Sequence, residues 1–253
     1  MMTTIQAMPA VNLVEIFSSI QGEGLYVGCR QVFVRLAGCN ISCRYCDTRE
    51  SFAIPASARI ETEAGSRLFQ TAPNPFSLSA LISNVEDLCC SPHHSISLTG
   101  GEPLLQPEAV IALSSAHTNN ARIYLETNGT LPDALRAVIG SVDIISMDFK
   151  LPSAMAGNNC WQEHETFLQV ASQREVFVKI VLSGETTQAE LERSIALIAS
   201  IDREIPLILQ PVTPINGVAP VSADTVLRSQ ALAMGSLRNV RVIPQTHKIM
   251  GQL

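Results

Sequence analysis

Cysteines at Cys39, Cys43 and Cys46 give a C-x3-C-x2-C spacing that puts three thiolates on one loop. Structural zinc sites close with four ligands, whereas an iron–sulfur cube held by three cysteines leaves one iron open to another group. Three thiols without a near fourth therefore suit an open site. Cys29 upstream, or Cys89, Cys90 and Cys160 from elsewhere in the fold, remain alternative fourth ligands. A structural zinc loop, or a chance set of buried thiols, is the bland alternative. A second polar constellation, Thr99-Gly100-Gly101-Glu102-Pro103, follows the apolar run Ser95–Leu98. Paired glycines permit close approach of backbone to a ligand, and Glu102 can accept hydrogen bonds from an ammonium group.

The elements that must position these residues are short Val- and Ile-rich runs: Gln31–Leu36, Ser95–Leu98, Arg122–Leu125, Val142–Met147, Val176–Leu182, Leu207–Leu209 and Val240–Ile243. These read as buried strands. Between them lie helical patterns, with Leu78, Leu81, Ile82, Val85 and Leu88 on one face behind a Ser77 cap. Leu191, Ile195 and Ile198 follow Thr187 and Glu190, which have capping-box spacing. Strand alternating with helix is the signature of parallel βα units, here an α/β single-domain partial barrel over residues 1–253 with its helices outside. Such a barrel builds its site at the C-terminal ends of its strands. Each end here is polar: Gly38–Thr48, Thr99–Pro103, Glu126–Gly129, Asp148–Lys150, Ser183–Glu185, Gln210–Thr213 and Gln245–Lys248. An extended segment at 11–24 ends in the Gly-flanked loop Ile20-Gln21-Gly22-Glu23-Gly24. Residues 49–76, rich in Ala, Ser, Pro and Thr, read as an insertion or lid.

Seventeen Lys and Arg against 23 Asp and Glu give a net charge of −6 and no electrostatic footprint for a nucleic-acid backbone. The chain has no apolar run near the roughly 18 residues that span a bilayer and no Lys or Arg before Arg30, so a cytoplasmic protein without membrane contact is expected. In that compartment seven clustered or scattered thiols point to metal or redox chemistry rather than disulfides. His93 and His94 read as loop residues, Trp161 as a packing anchor in a loop, and His117 as lying near a predicted helix C-terminus.

Taken together, Glu15-Ile16-Phe17, Ser19–Gly24, Phe33–Leu36, Gly38-Cys39-Asn40, Cys46-Asp47-Thr48, Thr99–Pro103, Glu126–Gly129, Gln210-Pro211 and Gln245–Lys248 resemble, in order, the motifs of a known family. It is the 7-carboxy-7-deazaguanine synthase family of the radical S-adenosylmethionine superfamily. The cysteines and the Gly-Gly-Glu-Pro stretch resemble the superfamily at large; the Gln-Gly-Glu-Gly loop, Cys-Asp-Thr and Gln-Thr-His-Lys resemble this branch.

The resemblance implies a [4Fe–4S] cluster on Cys39, Cys43 and Cys46, with S-adenosylmethionine on the open iron. A 5′-deoxyadenosyl radical would take hydrogen from 6-carboxy-5,6,7,8-tetrahydropterin, and ring contraction with loss of ammonia would give 7-carboxy-7-deazaguanine. It further implies that Tyr45, Cys46, Asp47, Gly100, Gly101, Glu102, Asp148, Lys150 and Gln210, Pro211, Val212 and Thr213 hold the cofactor, although Asp148 stands where the family usually has Ser. The substrate falls to Ile20, Gln21, Gly22, Glu23, Thr99, Glu126, His247, Leu253 and Arg35, whose planar fork matches a carboxylate. Thr48 stands where the family places a Mg2+ ligand. A homodimer and a flavodoxin or ferredoxin electron donor complete the expectation. Two rivals share part of the pattern: an activating enzyme that abstracts hydrogen from a partner protein, and a non-catalytic iron–sulfur or zinc protein.

Overall fold

The computed structural model describes residues 10–116 and 121–253; His117 lies outside them. In chain order the first half carries β1 (Ala10–Val11), β2 (Leu13–Ile20), β3 (Arg30–Leu36), β4 (Ser57–Glu61), β5 (Phe69–Pro73), β6 (Phe76–Ser77), α1 (Leu78–Leu88), β7 (Ser95–Gly100) and α2 (Pro107–Ser115). The second half carries β8 (Arg122–Thr127), α3 (Pro132–Val138), β9 (Ile144–Asp148), α4 (Trp161–Ala171), β10 (Glu175–Leu182), α5 (Gln188–Ile201), β11 (Leu207–Pro211), α6 (Ala223–Met234), β12 (Val240–Val242) and α7 (Thr246–Met250).

Ten strands form one sheet in the order β12-β11-β10-β9-β8-β7-β3-β2-β4-β5. From β3 to β12 every neighbouring pair is parallel, and from β7 onward each connection runs through a helix. The expected βα alternation is therefore present. Among the described residues β12 and β5 do not pair, so the barrel stays open. Its strands read as apolar runs because the outer face packs on helices: Val32, Val34, Leu98, Ile145, Val178, Ile180 and Leu209 lie in one core with Leu81, Val85, Leu168 and Ile195. The helix starts follow the cap chemistry of the sequence. Ser77 accepts from the Ala80 amide, and Thr187 and Glu190 form a complete capping box.

Residues 49–76, read as an insertion or lid, are not simply a loop. They contain β4 and β5, an antiparallel hairpin whose β4 adds in parallel to β2 and extends the sheet. Ala58 and Ile60 are buried beneath it. Trp161 is not in a loop either; it opens α4, buried, with its ring 6.3 Å from that of Phe149.

Candidate active site

Side chains alternate faces along a strand, so the inward positions of the barrel fall in layers. The lowest layer is Tyr124, Ile144, Phe177 and Ile208, an apolar floor against which Leu25 and Tyr26 pack. Two residues further along each strand the polarity reverses. Glu126, Ser146, Lys179 and Gln210 line a pocket whose upper wall holds Asp148, Lys150 and Val181. That pocket opens at the C-terminal strand ends, where the sequence places its polar motifs.

The cysteine loop leaves β3 and is fixed against the β7 and β8 loops. At Gly101 an added Cβ would lie 1.9 Å from the Gly38 carbonyl oxygen, and Gly100 has φ +121° with its Cβ position 2.2 Å from the Leu36 carbonyl. No side chain fits either place. The Asn40 amide accepts from Asn128 Nδ2 at 2.9 Å and donates to Thr130 Oγ1 at 2.8 Å. Glu102 underlies both loops. Its carboxylate accepts from Thr127 Oγ1 at 2.8 Å, the Asn128 amide at 2.8 Å and the Leu104 amide at 3.1 Å. Burial pushes it up to about 7 against the pull of those donors. The side chain is fully buried and does not line the pocket; its carboxylate supports the loops that carry Gly100, Gly101 and Asn128.

Cys39, Cys43 and Cys46 all face the pocket. Burial pushes the Cys43 thiol up to about 11 and also raises Cys39; metal binding would offset that penalty by stabilising the thiolates. Among the described residues no three His, Cys, Asp or Glu side chains converge as a single tetrahedral ion requires. An iron–sulfur cube held by three cysteines places each thiolate on a different iron and does not need that convergence. Two buried polar atoms of residues that line the pocket, Asp148 Oδ1 and Gln210 Oε1, lack a hydrogen-bond partner. A ligand's N–H or O–H groups would satisfy both.

Charges alternate above the apolar floor. Asp148 Oδ2 pairs with Lys150 Nζ at 2.7 Å and Lys179 Nζ at 3.3 Å, and Lys179 also pairs with Glu23. Gln245 Nε2 donates to Glu23 Oε1 at 2.7 Å and to Asp47 Oδ2 at 3.1 Å, and Lys248 closes on Asp47 at 2.9 Å. Burial pushes Glu23 up, but Lys179 and Gln245 outweigh it and hold the carboxyl at about 2. Burial likewise opposes ionisation of Asp148, and Lys150 and Lys179 bring it below the usual range.

On the far side Glu126 accepts from Gln21 Nε2 at 2.8 Å and Thr99 Oγ1 at 2.7 Å. Arg35 gives its Nε to Glu15 at 2.9 Å, which leaves the Nη pair for a carboxylate. His247 sits so close over the Gln-Gly-Glu-Gly loop that a Cβ at Gly22 would fall 2.2 Å from its Nδ1.

The pocket gathers all the expected site residues except Glu102 and Pro211: Ile20 through Glu23, Arg35, the cysteines, Tyr45, Asp47, Thr48, Thr99 through Gly101, Glu126, Asp148, Lys150, Gln210, Val212, Thr213, His247 and Leu253. It adds Lys179 and Gln245, along with Asn128, Ser146 and Phe17. Lys179 left a signal in the sequence, as the one charged residue inside the apolar run Val176–Leu182. Asn128 falls within the polar strand end Glu126–Gly129, whereas Ser146 left no signal.

An open parallel barrel with three cysteines on the first strand-end loop defines a radical SAM protein, and the Radical SAM superfamily matches residues 34–198. The chain is 46% identical over 252 residues to the 7-carboxy-7-deazaguanine synthase of Geobacter sulfurreducens, covering 97% of this chain and 99% of that one. It is 34% identical to the synthase of Methanothermobacter thermautotrophicus, over 94% and 96% of the two chains. It therefore belongs to the 7-carboxy-7-deazaguanine synthase family of radical SAM enzymes. The crystal structure of QueE from Escherichia coli shares the fold, with a TM-score of 0.61 at 20% identity over 94% of this chain and 95% of that one.

Proposed function

We propose that this chain converts 6-carboxy-5,6,7,8-tetrahydropterin to 7-carboxy-7-deazaguanine with loss of ammonia; the product is the one for which its relatives are named. The observation that carries the reading is that the three thiols, the Lys179–Glu23 pair and Arg35 all line one pocket. When bound, the [4Fe–4S] cluster supplies the electron that cleaves S-adenosylmethionine and so starts hydrogen abstraction from the pterin.

The residues divide this pocket between two ligands. Cys39, Cys43 and Cys46 hold the cluster. Tyr45, Asp47, Gly100 and Gly101 flank the cofactor, with Asp148 and Gln210 offering their free acceptor oxygens to its hydroxyl or amino groups. Arg35 takes the pterin carboxylate in a bidentate pair. Gln21, Glu23 and Glu126 read the polar edge of the ring, whose N–H groups match carboxylate and amide acceptors. Thr48, beside Cys46 at 3.8 Å between Oγ1 and Sγ, would offer a hard oxygen to a Mg2+ ion. His247 and Leu253 close the pocket from above. The described residues contain no helix long and apolar enough to cross a membrane; a cytoplasmic homodimer fed by a flavodoxin or ferredoxin fits this chemistry.

Anaerobic incubation of the reconstituted enzyme with reductant, S-adenosylmethionine, Mg2+ and the pterin tests the reading by mass spectrometry. The expected result is conversion of the pterin with loss of ammonia and little net consumption of S-adenosylmethionine. Accumulating 5′-deoxyadenosine beside intact pterin would sink the substrate assignment and bring the activating-enzyme reading forward.

A further inference from the structure

The β4–β5 hairpin has no part in the chemistry above, yet its turn reaches the C-terminal tail. Arg67 donates through Nη2 to the Gly251 carbonyl at 2.6 Å and to Gln252 Oε1 at 3.4 Å, across 184 positions of sequence. Its backbone is held for that task. Arg67 has φ +59°, a left-handed conformation that L-residues other than Gly, Asn and Asp rarely adopt, and its amide donates to Glu61 Oε1 at 2.8 Å. Glu61 is buried, and its other oxygen accepts from the Ser18 amide at 2.8 Å. One carboxylate thus ties the hairpin turn to β2.

The same strand supports the end of the tail. The Ser19 hydroxyl donates to the Leu253 carbonyl oxygen at 3.3 Å, one residue before Ile20 enters the pocket wall. Leu253 lines the pocket together with Arg35 and Ile20. The hairpin touches that side of the pocket a second time, because Arg59 on β4 approaches Glu15 at 3.7 Å, and Glu15 holds Arg35.

We propose that the β4–β5 hairpin is a clamp for the C-terminal tail and that Arg67 is a positioning residue for the substrate end of the pocket. The role rests on the reading that this end, lined by Ile20, Arg35 and Leu253, takes the pterin. Without the clamp, Gly251 through Leu253 lose their outer support and the wall opens. Arg67 itself does not line the pocket; it acts through the tail that carries Leu253 at the substrate end.

The test uses the reconstituted full-length enzyme and the variants Arg67→Ala and Arg67→Lys, with a further variant lacking Leu253. Arg67→Ala should raise the KM for the pterin about tenfold, the value of one charge-assisted hydrogen bond, with kcat and the KM for S-adenosylmethionine near wild type. It should also speed release of Leu253 by carboxypeptidase. Arg67→Lys, which keeps one donor, should recover part of both effects, and a merely structural role would not produce that recovery together with a KM change confined to the pterin. Removing Leu253 should raise the pterin KM at least as far. Unchanged KM and unchanged carboxypeptidase release in Arg67→Ala would overturn the clamp. Faster release with unchanged pterin KM would overturn the positioning role. If the wild-type enzyme failed to turn over the pterin at all, the substrate reading would fall, and the carboxypeptidase comparison would still decide whether Arg67 holds the tail.

Discussion

Replacing Lys179 by Met keeps an unbranched stem and removes a charge that two carboxylates share, Glu23 and Asp148. The cost can be worked from Glu23. Its carboxyl is held at about 2 instead of 4.5, and a difference of about 2.5 pH units at about 1.36 kcal/mol each is about 3.4 kcal/mol. Asp148 keeps Lys150 at 2.7 Å and Glu23 keeps Gln245 at 2.7 Å. The loss therefore belongs at the lower end of the roughly 3–5 kcal/mol for breaking a buried pair, and about 3 kcal/mol is expected at pH 7. Because the folded pKa of Glu23 lies below its unfolded value, its contribution is complete above about pH 4.5 and disappears as pH falls toward about 2. Urea unfolding of wild type and Lys179→Met, followed by circular dichroism at several pH values, measures the difference directly. The gap should be full at pH 7 and begin to narrow below about pH 4.5. A variant within about 0.5 kcal/mol of wild type at pH 7, the range of an ordinary surface change, would refute the claim that this lysine holds the charges above the pocket floor together.

Gly101→Ala should prevent cluster assembly, since the new Cβ would lie 1.9 Å from the Gly38 carbonyl oxygen beside Cys39; iron and acid-labile sulfide per chain after reconstitution give the readout. Glu102→Gln turns an amide nitrogen toward one of three donors now facing the carboxylate, and should cost about 1–3 kcal/mol in urea unfolding. Arg35→Ala should raise the pterin KM while leaving S-adenosylmethionine cleavage near wild type, measured as 5′-deoxyadenosine formed without pterin. Thr187→Ala removes half of a complete capping box far from the chemistry, and should cost about 1 kcal/mol with turnover unchanged.

Much of the barrel was legible because its parallel strands are buried on the helix side, and burial selects the Val- and Ile-rich runs that mark them. The β4–β5 hairpin was not, because it lies at the sheet edge. Its strand Ser57–Glu61 buries only Ala58, Ile60 and Glu61, too few apolar positions to stand out from an Ala- and Ser-rich stretch. The pocket-lining residues were legible where chemistry and position coincide at a strand end, as with the cysteine loop and Asp148. Lys179 lies three residues inside the end of β10, where sequence reading expects core. Period-two alternation alone would have placed it on the inward face between Phe177 and Val181, the same face that pairs it with Asp148 on β9.

Glu102 shows the opposite case, a strand-end residue whose bonds to the neighbouring loops were not legible in the sequence. The sequence shows an acceptor beside two glycines, and a buried carboxylate takes whatever donors are nearest. Besides the local Leu104 amide, those donors are the hydroxyl of Thr127 and the amide of Asn128, 25 and 26 residues away and adjacent only because β7 and β8 pair in register. Which of two neighbouring strand-end side chains faces the ligand and which holds the loops is therefore set by strand pairing. A one-residue slip of β8 would turn Glu126 out of the pocket and take Thr127 away from Glu102 at once. Binding and support in this site thus depend on the same register, so a substitution that disturbs the Thr127–Glu102 contact should loosen Glu126 and the loop carrying Cys39 together.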